Sequence, residues 1–293
     1  MSAAAAERAS VLTGLEEALA DVGDGATIGI GGAVTAAHPM ALVRELARRR
    51  VRGLTVVAPV SGLDVELLIA AGCVEKLVTC YIGYEFLAGL GPVYRAAAQA
   101  GAIKVEDVDE GHCVAGLRAA AQCLPFMPWR GGVGTDIASL NEGIETFTDP
   151  VAGESLLAIP AMPLDFALVY AEIADEYGNA QPQGTGNMDL ALGSAAETVI
   201  LQCERVVSNE VIRRAPERTW YWQDTRVVRA PFGTHPYSCA TMVADVEHLK
   251  EFLGATREEA DLAAYLERYA GPDVDHDTYL EQIGIRRISS LLV

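Results

Sequence analysis

Short apolar runs that end at or next to a glycine alternate with segments of helical periodicity along most of this chain. The first three runs are ATIGIGG (26–32), LTVVAPVSG (54–62) and KLVTCYIGY (76–84), and helical spacing of apolar residues follows each of them. Continuous apolar strands separated by helices are typical of a mainly parallel sheet with helices on both faces. The alternation therefore predicts an α/β fold.

Three further apolar runs, at 156–162, 166–174 and 198–207, extend the predicted sheet, and a helix is predicted at 7–22. Neither an internal repeat nor a linker-like segment divides the sequence. We therefore predict one domain spanning residues 1–293, with an α/β core at 7–244 and a helical C-terminal extension at 245–293.

The predicted extension is acidic. From Asp245 to Gln282 it carries 11 Asp and Glu against 3 Lys and Arg, a local net charge of 3 − 11 = −8. We expect a solvated helical cap that packs onto the core, with His248 and His276 at its surface.

The whole chain is also acidic, with 40 Asp and Glu against 22 Lys and Arg and a formal net charge of −18. This charge repels phosphate backbones and anionic lipid, so we expect neither nucleic acid nor a membrane as partner. No apolar run approaches the roughly 18 residues of a membrane span, and the N-terminal residues lack the apolar core of a signal peptide. Six cysteines without a CxxC pair indicate reduced thiols, so the expected location is the cytoplasm.

Four glycine-rich segments follow predicted strands: GIGGAV, PVSG, YIGYE and RGGVG. Ligands of open α/β sheets bind beyond the carboxyl ends of the strands, and glycine allows a close approach to the backbone. The four segments therefore predict a binding site at one edge of the sheet. The motifs of dinucleotide-binding proteins, P-loop proteins, zincins and serine hydrolases are absent from the sequence.

The stretch KVEDVDEGHC (104–113) places four carboxylates within five positions: Glu106, Asp107, Asp109 and Glu110. A calcium loop would need an oxygen ligand where Gly111 stands, and the five histidines show no ligand spacing. We therefore predict no metal site. A solvated acidic turn and a catalytic carboxylate with acidic neighbours both remain open at this point.

Read in order, the segments GIGGAVTAAHPMALVREL, YIGYE, GLRAAAQCLPFMPWRGGVGTD and ADEYGNAQ resemble the two-chain branch of the class I CoA-transferases. The α subunit of glutaconate CoA-transferase is the nearest named type, and APFGTHPYSC with the acidic tail extends the likeness to nearly the full chain. The resemblance implies an α/β fold of the CoA-transferase type. It also implies a catabolic enzyme that moves CoA between an acyl-CoA and a carboxylic acid. CoA is then part of the substrate, and no cofactor is permanently bound.

The resemblance also implies a β subunit of similar fold, an α2β2 heterotetramer and an active site between the two kinds of chain. The nucleophilic glutamate of this branch belongs to the β subunit, where it forms an acyl anhydride and then a glutamyl-CoA thioester. The α chain would supply loops that bind the substrate and CoA. The residues carried over to that role are Gly31, Gly32, Ala33, Ser61, Gly62, Gly131 and Gly132.

A local likeness points to a second reaction. Asp109, Glu110 and Gly111, followed by GLRAAAQCLPF, resemble the α subunits of steroid ring-cleaving acyl-CoA hydrolases. That likeness implies that Glu110 is a general base that activates water against a β-keto ring carbonyl, a role that partial burial favours. CoA transfer, ring-opening hydrolysis and a non-catalytic scaffold subunit remain as alternatives.

Overall fold

The computed structural model describes residues 8–184, 186 and 188–293. The strands in chain order are β1 (Leu12–Thr13), β2 (Thr27–Ile30), β3 (Leu54–Val57), β4 (Val60–Ser61), β5 (Val74–Thr79), β6 (Tyr81–Ile82), β7 (Lys104–Asp107), β8 (Phe126–Trp129), β9 (Glu145–Thr148), β10 (Ser155–Pro160), β11 (Leu164–Ala174), β12 (Ala180–Gln181), β13 (Ala196–Val206) and β14 (Thr225–Arg229).

The helices are α1 (Leu15–Ala18), α2 (Met40–Arg49), α3 (Leu63–Ala70), α4 (Pro92–Gln99), α5 (Glu110–Ala121), α6 (Ile137–Leu140), α7 (Asp189–Ala195), α8 (Asn209–Ile212), α9 (Val246–Ala255), α10 (Glu259–Ala270), α11 (His276–Ile283) and α12 (Ile285–Ser290). A 3-10 turn occupies Pro216–Arg218.

The central sheet has the order β1-β14-β13-β11-β2-β3-β5-β7, and every neighbouring pair in that path is parallel. Strand β12 adds an antiparallel partner at the end of β11. The predicted α/β fold with a mainly parallel sheet is confirmed. Because β2, β3, β5 and β7 are neighbours, their carboxyl ends lie side by side at one edge.

Two apolar clusters cover the opposite faces of this sheet. One includes Leu42 and Leu46 of α2, Leu68 of α3 and Phe252 of α9. The other includes Leu117 of α5 and residues of α7 and β10. Strand β11 is buried from Ala167 onward, as expected of an interior strand covered on both faces.

Two local predictions were wrong. In place of the helix at 7–22, the described residues form the strand β1 and the single-turn helix α1, because β1 pairs with β14. The run at 156–162 forms β10, which lies in a separate antiparallel sheet with β8 and β9. The acidic stretch at 104–113 contains β7 and the first turn of α5.

Helices α9 to α12 form the C-terminal part of the chain, and α10 and α11 pack against α2. The expectation for the histidines was wrong. His248 is fully buried with Nε2 at 2.9 Å from the hydroxyl of Tyr265, and His276 is half-buried with Nε2 at 2.9 Å from the carbonyl of Pro231. Acidic residues face solvent on these helices while an aromatic face enters the core. None of the helices in the described ranges is long and apolar enough to cross a bilayer.

Candidate functional site

The first glycine-rich loop leaves β2, and its backbone amides are already engaged within the chain. Gly31 N donates to Leu168 O at 2.9 Å, and Ala33 N donates to Ala36 O at 2.9 Å. Gly32 N lies 3.2 and 3.3 Å from the two carboxylate oxygens of Asp189. In this chain the predicted loop therefore offers a wall rather than a row of free amide donors.

Glycine is required in this loop because two buried polar side chains lie against it. Gly32 has φ +101°, and a Cβ atom there would lie 2.6 Å from Cγ of His38. A Cβ atom at Gly31 would overlap the carboxyl of Asp189. The loop thus covers Asp189 on one side and His38 on the other.

Below the second predicted loop lies a buried network around Asp64. His38 Nδ1 is 3.0 Å from Asp64 Oδ2, and both side chains are fully buried. Gly62 N donates to Asp64 Oδ1 at 2.9 Å. Burial alone would raise the pKa of Asp64, but the charge and hydrogen bond of His38 and the Gly62 amide hold it below its usual value.

Ser61 and Gly62 belong to this buried layer. Ser61 is buried, and a Cβ atom at Gly62 would lie 2.6 Å from the hydroxyl of Tyr237, which also accepts from Leu63 N. The Tyr237 ring packs against His38 in a tilted arrangement with centroids 4.5 Å apart. The structure therefore places the two predicted binding residues beneath the edge, packed against the chain's own side chains.

The four acids of 104–113 have different environments. Glu106 forms an ion pair with Lys76 at 2.7 Å, and Asp109 is the N-cap of α5, accepting from His112 N at 2.8 Å. Asp107 is exposed at the end of β7. Glu110 is the first residue of α5, is exposed, and its carboxyl has no hydrogen bond or ion pair among the described residues.

The predicted glycines Gly131 and Gly132 reach the same helix start from the separate sheet. A Cβ atom at Gly132 (φ +87°) would lie 3.1 Å from Nε2 of His112. A Cβ atom at Gly131 or Gly111 would lie within 3 Å of the Trp129 indole. The structure thus brings Gly131 and Gly132 against the first turn of α5, beside Glu110, although they do not follow a strand of the central sheet.

His112 is fully buried in this contact. Its Nδ1 lies 2.8 Å from Asp109 Oδ1 but is not aligned for a hydrogen bond, and neither ring nitrogen has a partner in the described part of the chain. His112 packs the RGGVG loop onto α5 and is not exposed to a ligand in this chain.

A pocket of about 550 Å³ opens beside the first loop, in the volume range of small-molecule sites. We call it the Tyr170 pocket. Its walls come from the β2 exit, the end of β11, the start of α7 and residues near 182 and 239. The lining residues are Ala33, Ala36, Ala37, Tyr170, Glu172, Pro182, Gln183, Gly184, Gly186, Asp189, Trp220, Ser238, Cys239 and Ala240.

The polar groups of this pocket are strongly buried. Burial raises the pKa of Asp189 to about 6, although the Gly32 amide acts in the opposite direction. Burial also raises the pKa of Glu172, which accepts hydrogen bonds from the amides of Gln183 and Ala240. Behind the pocket, burial raises the pKa of Glu204 to about 7. Buried carboxyls with shifted pKa values in a cleft are typical of functional sites.

The sequence interpretation missed Tyr170, Glu172 and Asp189. Tyr170 and Glu172 lie within the apolar run FALVYAEIA, where the alternation of polar with apolar residues was the available indication. Of the aromatic residues after β6, Tyr84 is buried and donates to Glu66 at 2.7 Å, and Phe86 is 78% exposed. Within the described residues, no group of three or more His, Cys, Asp or Glu side chains is placed to hold a metal.

These features define an α/β protein whose candidate ligand site lies at the carboxyl edge of a parallel sheet. The model of the coenzyme A transferase family matches residues 12–221. This match covers more than half of the chain, and the chain therefore belongs to the coenzyme A transferase family. The predicted family is confirmed.

The relatives that are similar to this chain in sequence are named for different reactions. An uncharacterized protein of Archaeoglobus fulgidus is 35% identical over 97% of this chain, which spans 66% of that protein. The IpdA subunit of a cholesterol ring-cleaving hydrolase from Rhodococcus jostii is 37% identical over 75% of this chain and 78% of that subunit. One subunit of the glutaconate CoA-transferase from Acidaminococcus fermentans is 29% identical over 95% of this chain and 93% of its own length.

Solved structures agree with this assignment. The glutaconate CoA-transferase structure from Acidaminococcus fermentans matches with a TM-score of 0.91 and 28% identity over 97% of this chain and 96% of that one. A variant of the decarboxylase AibA/AibB matches with a TM-score of 0.79 and 31% identity, over 89% of this chain and all of that chain. The same fold therefore serves transfer, hydrolysis and decarboxylation, and the reaction has to be argued from the site.

Proposed function

We propose that this chain is the α subunit of a heteromeric CoA-transferase that moves CoA between an acyl-CoA and a carboxylic acid. The observation that carries the proposal is the match of 97% of the chain to glutaconate CoA-transferase at a TM-score of 0.91. A β subunit of the same family completes the enzyme, in an α2β2 heterotetramer.

The chemistry of transfer needs a nucleophilic carboxylate, which we assign to the β subunit. That carboxylate attacks the thioester carbonyl and expels CoA thiolate, which leaves an acyl-glutamyl anhydride. The thiolate then attacks the glutamyl carbonyl and releases the donor acid, so that CoA is held as a glutamyl thioester. The acceptor carboxylate reverses both steps and leaves as the new acyl-CoA.

In this proposal the α chain forms one half of the acyl site. The loop at Gly31, Gly32 and Ala33 and the Tyr170 pocket supply its walls. Ser61 and Gly62 support the edge from below through the buried Asp64 network. Gly131 and Gly132 hold the start of α5.

A second candidate function is hydrolysis of an acyl-CoA ring by Glu110. It is favoured by the position of Glu110 at an exposed helix start with no partner for its carboxyl among the described residues, and by the 37% identity to the IpdA subunit. Glu110 would accept a proton from water as the oxygen attacks a ring ketone. The carbon–carbon bond next to that ketone then breaks, so that the ketone carbon becomes a carboxylic acid. The carbanion left on the other carbon takes the proton from Glu110, and the thioester stays intact.

The deciding experiment uses the complex of this chain with its β subunit. With an acyl-CoA and a carboxylate acceptor, transfer yields the acceptor's acyl-CoA, and borohydride traps a glutamyl-CoA thioester on the β subunit. Ring hydrolysis yields an acyl-CoA that has gained one water. Absence of both the new acyl-CoA and the trapped thioester would overturn the transferase proposal.

The role of Glu110 is tested by Glu110→Gln, with Asp107→Asn as the matched control, because Asp107 is an exposed acid three residues away. A catalytic base predicts a loss of about 100-fold or more in kcat for Glu110→Gln alone, with the complex intact. Equal activity of the two variants would leave Glu110 without a catalytic role. A complex in which no variant of this chain affects turnover would favour a scaffold subunit.

A further inference from the structure

Tyr170 carries a buried hydroxyl group that lies beside Glu204 and Cys239. The side chain is 2% exposed, lies on β11 and lines the Tyr170 pocket. Its hydroxyl neighbours Glu204 and Cys239 but has no aligned hydrogen bond in the described residues. A buried polar group without a partner costs about 1–3 kcal/mol. A ligand oxygen in the pocket would supply the missing partner.

Two carboxyl groups line the same pocket and retain acceptor capacity. Glu172 and Asp189 are each 3% exposed, and both accept hydrogen bonds from backbone amides. A carboxylate has about four lone-pair positions, so each can also accept from a ligand donor. A ligand hydroxyl, which both donates and accepts, matches the hydroxyl of Tyr170 together with these carboxylates.

The described residues of this chain that line the pocket offer no counter-charge for an anionic acyl group. None of its described lining residues is Lys, Arg or His, and the remaining walls are largely apolar, including Ala33, Ala240 and Trp220. Arg218 belongs to the adjoining cavity beyond Gln183. A second carboxylate placed here would stand close to Glu172 and Asp189 without neutralisation, and like charges at this range repel strongly where water is excluded.

We propose that the Tyr170 pocket receives the distal part of the acyl group and selects an uncharged hydroxyacyl chain over a dicarboxylic one. This inference rests on the proposed function, because it takes an acyl-CoA as the ligand. It assigns Tyr170 and Glu172 to substrate specificity. It also separates this chain from relatives whose names specify dicarboxylic substrates, such as glutaconate and 3-oxoadipate.

The test uses three five-carbon thioesters that differ only at the terminal carbon. They are 5-hydroxypentanoyl-CoA (called hydroxypentanoyl-CoA below), pentanoyl-CoA and glutaryl-CoA. Their binding to the complex of this chain with its β subunit is measured by equilibrium dialysis, and kcat/KM is measured in parallel. We expect hydroxypentanoyl-CoA to bind about fivefold more tightly than pentanoyl-CoA, and glutaryl-CoA at least tenfold more weakly than hydroxypentanoyl-CoA.

Two conservative variants test the residues. Tyr170→Phe should abolish the preference for the hydroxyl and change the binding of pentanoyl-CoA much less, because the lost hydroxyl makes no aligned hydrogen bond within the described chain. Glu172→Gln should narrow the discrimination against glutaryl-CoA about tenfold. The matched control is Tyr84→Phe, which removes another buried hydroxyl, one bonded to Glu66. It should lower stability without changing the order of the three ligands.

Tighter binding of glutaryl-CoA than of hydroxypentanoyl-CoA would overturn the inference. So would an equal effect of Tyr170→Phe on all three thioesters. Dialysis uses a complex in which the β-subunit nucleophile is replaced, so that no glutamyl-CoA thioester forms and binding is measured apart from turnover. The two proposals therefore fail in different ways. The predicted binding order without transfer or hydrolysis supports the pocket and contradicts the proposed function. Turnover with the reverse order contradicts the pocket alone.

Discussion

Replacing Asp189 tests the buried carboxyl that the first glycine loop covers. Its side chain is 3% exposed, and burial raises its pKa from the ordinary 3.8 to about 6. The folded protein therefore binds this proton more tightly than the unfolded chain does. Folding stability from this group is fully present below pH 3.8 and is lost as the pH rises through about 6. At about 1.4 kcal/mol per pKa unit, the loss is roughly 3 kcal/mol.

The variant Asp189→Asn keeps an oxygen that can accept from the Gly32 amide but cannot ionise. Its free energy of unfolding should therefore rise relative to wild type by roughly 3 kcal/mol between about pH 4 and pH 7.5. Urea unfolding followed by circular dichroism at several pH values measures this difference. Burial also raises the pKa values of Glu66 and Glu204 to about 7. Both groups titrate in the variant and in wild type, so their contributions cancel in the difference between the two unfolding free energies.

The matched control is Asp24→Asn. Asp24 also accepts a hydrogen bond from a backbone amide, that of Arg52 at 2.7 Å, but it is exposed. It should show a much smaller change with pH. A constant difference between Asp189→Asn and wild type from about pH 4 to pH 7.5 would refute the reasoning. Such a result would mean that Asp189 titrates alike in the folded and unfolded chains.

Three further predictions concern stability. Gly32→Ala should lower the free energy of unfolding by more than about 2 kcal/mol in a urea titration, because Gly32 has φ +101° and its Cβ atom would lie 2.6 Å from the buried His38 ring. The control Gly134→Ala, at φ +81° in open space, should lower it by about 1 kcal/mol. Asp64→Asn should cost about 3–5 kcal/mol in the same assay, because it removes one partner of a fully buried pair; a cost below about 1 kcal/mol would contradict the assigned network. Asp109→Ala should lower the thermal midpoint through a loss of about 1 kcal/mol at the α5 N-cap, and an unchanged midpoint would argue against that cap.

The central strands could be predicted because they are apolar on both faces. Strands β2 and β3 lie within runs that the sequence pattern indicated, and β5, β11 and β13 overlap such runs but begin two residues earlier. The edge strand β7 and the near-edge strand β14 read KVED and TRVVR, whose charged residues mask the strand pattern. Strand β1 forms only through its pairing with β14, more than 200 residues along the chain, and a local pattern contains no information about that pairing.

The Tyr170 pocket could not be predicted for a related reason. Strand β2 ends at Ile30, which pairs with Leu168, while β11 continues to Ala174. Tyr170 and Glu172 therefore extend past the end of their neighbour into the space that the β2 loop leaves open. The sequence shows two polar residues in an apolar run. Only the unequal lengths of the paired strands show that these residues line a pocket.

Glu110 differs physically from the carboxyls of that pocket, and this difference bears on which reaction the chain supports. Glu172 and Asp189 are buried and held by amides of their own chain, so their properties are fixed without a partner. Glu110 is exposed at the start of α5, where the helix dipole favours a negative charge. A carboxylate becomes an effective base when a low-dielectric surface covers it. No element of the described chain covers Glu110, so a general-base role requires that the β subunit bury it.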